Sequence, residues 1–277
     1  MLNFLRHEVR IRRGSILGWA AGLAFFAVVY MAFYPALPPE MLELNLQEVE
    51  IYRALGVMEM ATFEGYMAST VFNFLPLLLG IFAITSGANA LAGEEDNGTL
   101  ELLVALPLAR WQVVLTKALA MTISALIVFS LVGLALMSGF AAIQSQFEAT
   151  ATAAGLFRIT LSYLPITLVF MMLSLFLGAY LPHRRAAMVM ATVALLFSYF
   201  GNNLANLVEG LRPVQRFLPF YYVDSSVTAL VEGPAWGDLL LLLAVALVFL
   251  LLAVLSFARR NITVGAWPWQ RPSKSFG

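Results

Sequence analysis

The sequence predicts an all-α integral membrane protein with six transmembrane helices. Three observations carry that reading. Of the 277 residues 61% are hydrophobic and only 12% charged, against about 25% charged in soluble domains. Mean hydropathy is +0.85. Runs such as Tyr66–Leu91 and Ala118–Gly139 contain no Asp, Glu, Lys or Arg, and about 20 such residues suffice to cross a bilayer.

Taken in order, residues 1–15 read as an amphipathic helix at a membrane surface. Leu2, Leu5 and Val9 share one face, and Arg6, Arg10 and Arg13 share another, which suits an interfacial helix against acidic headgroups. A role in setting topology by charge alone fits equally well. The first span is placed at about 16–34. Its apolar run is long for a signal peptide and ends in Tyr34-Pro35 rather than a small-residue cleavage site, so it is read as retained. The acidic stretch Pro35–Gly65 is expected to be part helical and to pack over the first two spans.

The remaining spans fall at about 66–91, 114–138, 158–181, 186–205 and 238–257. In span two, Tyr66, Thr70 and Asn73 repeat at helical spacing before Pro76 and Gly80, which should weaken or kink the helix. That polar stripe, with Asn202 and Asn203 at the end of span five, lines a pathway or serves as helix–helix glue. Lys117 stands near the start of span three, Arg158 opens span four and Asp238 opens span six. Between spans five and six, the stretch PVQRFLPFYYV is too short to cross. It is read as re-entrant if other spans cover its backbone, and otherwise as interfacial. Residues 258–277 form a tail.

Six spans put both ends on one side. The N-terminus, the 2–3 and 4–5 loops and the tail hold twelve basic residues, and the opposite loops hold only Arg53, Arg158, Arg212 and Arg216. The positive-inside rule then places both termini in the cytoplasm, and the chain is expected in the cell membrane. Eleven of sixteen acidic residues lie on the other side. Tyr34, Tyr66, Trp111, Tyr163, Tyr180, Trp236 and Trp267 sit near span ends, as an aromatic belt would.

Familiar catalytic chemistry is missing. No G-x-x-x-x-G-K-[ST] occurs to cradle ATP, nor H-E-x-x-H, nor G-x-S-x-G. His7 and His183 are far apart and there is no cysteine, so no catalytic or metal-binding residues are assigned. Net charge is zero, so no overall field recruits nucleic acid. Proton relays need ionisable groups inside spans, and the span interiors are free of them.

One segment stands apart, Gly93–Lys117, GEEDNGTLELLVALPLARWQVVLTK. Glu94, Glu95, Asp96 and Glu101 gather at its start, where a helix N-terminus favours negative charge. Asn97, Gly98 and Thr99 are turn and cap residues. Leu100, Leu102, Leu103, Val104 and Leu106 are apolar all round a short helix that Pro107 stops.

The segment resembles the signature of ABC-2-type permeases, the membrane subunits of type V ABC exporters. The pattern EE-x-x-GT-L-E-L-L is met by Glu94, Glu95, Gly98, Thr99, Leu100, Glu101, Leu102 and Leu103, followed by Pro107, Arg110 and Lys117. The resemblance implies that Glu94–Pro107 is a cytoplasmic coupling helix seated in a groove of a separate ABC ATPase. Arg110 and Lys117 are taken to hold the start of span three at the headgroups. It also implies a second copy or a related permease as partner, the N-terminal helix flanking the ATPase, and a re-entrant element between spans five and six. No cofactor belongs to this chain; ATP and Mg would sit on the ATPase. A charge-free interior favours an amphiphilic or apolar cargo such as a drug, natural product or lipid. A non-transporting scaffold or sensor, or an ion-coupled carrier, are the alternatives.

Overall fold

The computed structural model describes residues 2–38, 62–96, 98, 109–181, 183–223 and 227–259. Among these, every regular element is helical. Six helices are long and apolar enough to cross a membrane: Arg13–Ala36, Phe63–Ala90, Arg110–Gln146, Ala153–Tyr180, Arg184–Asn206 and Trp236–Arg259. These are spans one to six. Each contains nearly all of the stretch expected from hydropathy and extends beyond it, because backbone hydrogen bonding continues past the apolar core. Span three is the extreme case: its 34-residue α-helix, Arg110–Ile143, is about 50 Å long at 1.5 Å per residue.

Proline breaks two spans. Span two begins as Phe63–Met67, capped by the Thr62 hydroxyl accepting from Gly65 N–H, and passes through a π-helical turn over Ala68–Phe72. It restarts at Leu75 with Pro76 in its first turn, where a missing N–H costs nothing. Span four repeats the device. Ala153–Ser162 ends, and Leu164–Tyr180 restarts with Pro165 in its first turn. The second break was not expected, although the same proline signal is in the sequence.

Span four is the hub, packed along spans two and six, while span one pairs with span three and span five leans on span two. Small residues allow the closest approach. A Cβ on Gly87 in span two would lie 2.5 Å from the Met171 carbonyl of span four, so only glycine fits.

The N-terminal helix Leu2–Ile11 and the starts of spans one, three and five share one face of the bundle, called here the near face. On the opposite, far face, Tyr34, Phe63, Tyr66, Phe140 and Phe147 form one aromatic cluster. This corrects the aromatic-belt expectation. Trp111, Tyr180 and Trp236 are exposed, but Tyr34, Tyr66 and Tyr163 are buried. Packing between span ends claims their rings. Trp267 and most of Pro35–Gly65 lie outside the described residues.

The segment after span five folds back into the bundle. Its short helix Arg212–Gln215 is held by Gln215, whose amide donates to Asn202 Oδ1 at 2.9 Å and Asn206 Oδ1 at 2.6 Å. Further on, Phe220 N–H donates to Ser198 Oγ at 3.1 Å. Ser198 lies nine residues before the helix end at Leu207, or about 13 Å below it. Phe220 packs between Phe170 of span four and Tyr199 of span five. The segment therefore packs against spans four and five well below the end of the span-five helix.

Candidate functional site

The near face is organised around a buried cation. Lys117 lies two turns into span three and is 0% exposed. Its ammonium donates to Glu8 Oε1 of the N-terminal helix at 2.9 Å and to Glu94 Oε1 at 2.9 Å. Arg12 Nη2 lies 3.4 Å from the other Glu8 oxygen. Two cations thus meet two carboxylates. An unpaired ammonium here would cost several kcal/mol, so the pairs hold the N-terminal helix, the acidic segment and span three in one arrangement. The sequence places Lys117 at the headgroups. The structure adds that it is shielded from solvent, with Glu8 reaching it from 109 residues away. Glu8 was missed. Its one signal is that it is the lone carboxylate among the N-terminal arginines.

The acidic segment begins as a short helix, Ala92–Asp96. Glu94 is partly exposed, Glu95 buried and Asp96 exposed. Gly98 has φ +69° and its N–H donates to Glu95 O at 3.0 Å. That left-handed helix stop favours glycine. Arg110, half-buried, opens the span-three helix, and Gln112 accepts from Ala109 N–H at 2.9 Å to satisfy the helix start. From span five, Arg184 donates to Asn89 Oδ1 at 3.0 Å and closes the other flank. Thr99, Leu100, Glu101, Leu102, Leu103 and Pro107 lie outside the described residues.

The candidate pathway residues are partly explained by packing. Tyr66 donates to the Tyr30 carbonyl at 2.9 Å, and Thr70 to the Tyr66 carbonyl at 2.6 Å. Asn202 is engaged by Gln215. Asn73 and Asn203 are buried. Spans two and five run antiparallel and meet where a Cβ on Gly80 would touch Leu195. Counting seven residues from each toward the far face reaches Asn73 and Asn202, so these two side chains start from a similar depth. A far-face concavity of about 640 Å³ is lined by Tyr34, Phe140 and Phe147 with the carboxylates of Glu64 and Glu148.

The near-face ion pairs thus connect the signature segment directly to the spans. A family model described as ABC-2 family transporter protein matches residues 2–262. The chain belongs to the ABC-2 transporter family. The match runs from the N-terminal helix through span six, and so includes Glu8, Glu94 and Lys117 alike. No curated protein matches the chain.

As an ABC-2 family member with six apolar helices, the protein is a multi-pass permease subunit of an ABC transporter. ABC-2 permeases generally work with ABC ATPase partners. For this ABC-2 chain, the near face is where charge, helix ends and the signature segment converge. Among the described residues no group of His, Cys, Asp or Glu is arranged to hold a metal ion.

Proposed function

We propose that this ABC-2 permease is an exporter subunit, moving an amphiphilic or apolar cargo out of the cytoplasm by alternating access. Separate ATPase subunits binding ATP and Mg supply the energy, and a second copy or a related permease completes the pathway. The near face is cytoplasmic in this reading, supported by the twelve-to-four distribution of basic residues and the positive-inside rule. Glu94–Pro107 docks on the ATPase. Its leucines offer a desolvated anchor and its carboxylates set orientation.

The observation that carries the reading is the seat of Glu94 on Lys117, 2.9 Å away and buried in span three. A push on the signature segment can reach a transmembrane helix through this charged contact. Closure of the ATPase pair would thereby rock spans one to three against the partner subunit. The test is co-purification with an ABC ATPase, followed by cargo-stimulated ATP hydrolysis in proteoliposomes. Stable association and stimulation are expected. A chain that exports cargo with no ATPase present overturns the proposal.

A further inference from the structure

Lys117 has two carboxylate partners at equal distance in unequal surroundings. The Glu8 side chain is 2% exposed and the Glu94 side chain 23%. Glu8 also has Arg12 beside its second oxygen. Glu94 sits on a five-residue helix that ends at the Gly98 turn. The two contacts therefore differ in the cost of breaking them. If Glu94 withdraws, its carboxylate meets water and Lys117 keeps Glu8, so no charge is stranded. If Glu8 withdraws, a carboxylate is left desolvated within the protein, the costly outcome for a buried pair. A partly exposed ion pair is weak by comparison.

We propose that Glu8 is a positioning residue for coupling: it is the standing counterion of Lys117, and by neutralising that buried ammonium it makes the Glu94–Lys117 contact releasable. The N-terminal helix is then a working part of the coupling machinery, beyond any role as a surface anchor. The inference rests on the reading of the Glu94 segment as the coupling element. It adds the residue that lets this segment move without exposing an unpaired charge. The loss of Glu8's charge transfers the task of neutralising Lys117 to Glu94 and pins the segment.

The test compares Glu8→Gln, Glu94→Gln and the double variant Glu8→Gln/Lys117→Gln in the full chain in lipid nanodiscs. Amide hydrogen exchange is read over Ala92–Asp96, the helix that carries Glu94. Glu94→Gln should speed exchange there about tenfold, because the local opening no longer breaks an ion pair. Glu8→Gln should slow it by a similar factor. The double variant has no buried ammonium and should exchange fast, and Glu8→Asp, which keeps the charge, should return toward wild type. A purely structural Glu8 would loosen the segment in both Glu8→Gln and the double variant. Equal directions for Glu8→Gln and Glu94→Gln, or a double variant as slow as Glu8→Gln, overturn the inference. The exchange measurement needs no ATPase. Docking assays with the ATPase decide the underlying coupling reading separately: in them Glu8→Gln should retain the ATPase while cargo export per ATP falls severalfold.

Discussion

Ser174 donates its hydroxyl to the Ile84 carbonyl at 2.9 Å, buried between spans four and two. One turn along span two, Gly87 brings the same two helices together. The bond and the missing side chain serve one contact. Ser174→Ala should cost about 0.6 kcal/mol, a typical value for an interhelical hydrogen bond in a membrane. Gly87→Ala should cost more, about 1–3 kcal/mol, because its Cβ would meet backbone and not a movable side chain. Thermal unfolding followed by tryptophan fluorescence checks the order. A Gly87→Ala protein as stable as wild type contradicts this packing.

Glu64 clamps the far face. Its Oε1 accepts from Thr150 N–H and Ala151 N–H, each at 2.6 Å, and from the Thr150 hydroxyl at 3.0 Å. The carboxylate is buried and bonds a loop 86 residues away to the start of span two. Glu64→Gln weakens bonds made to a charge and should cost about 2 kcal/mol. Amide exchange at Thr150 and Ala151 should accelerate ahead of the rest of the chain. Unchanged protection at those two amides would sink the idea of a clamp.

Orientation is testable with introduced thiols, since the chain has no cysteine of its own. Glu148→Cys should react with an impermeant maleimide in intact cells. Asp96→Cys, also exposed, should react only after permeabilisation. The reverse pattern would place the near face outside.

Leu103→Asp should uncouple the transporter without disturbing membrane insertion. An unpaired carboxylate in a desolvated groove costs several kcal/mol, so ATPase retention should weaken about a hundredfold or more. The six spans keep their hydrophobicity, and expression and monodispersity should match wild type. Quantitative pull-down of the ATPase measures this. Retention at wild-type strength would remove Leu100–Leu106 as the docking helix. Asn73→Ala is the contrast: docking stays, and only cargo handling changes.

The sequence by itself determined the six spans, the near-face charge excess, the Pro76 break and the signature segment. Each is written in neighbouring residues: a charge-free run, a proline after a polar turn, a motif at fixed spacing. Local signals suffice because a bilayer requires each span to satisfy its own backbone hydrogen bonds. Only the tertiary structure decided which polar and aromatic groups meet. Lys117 reads as a headgroup lysine until Glu8 and Glu94 arrive from two other elements. Tyr34 reads as a belt residue until Phe63 and Phe147 surround it. The depth of the segment after span five was open until Ser198 received the Phe220 amide. Burying a charge, a ring or an amide is favourable only where distant residues supply the partner, and no local spacing records which partner that is.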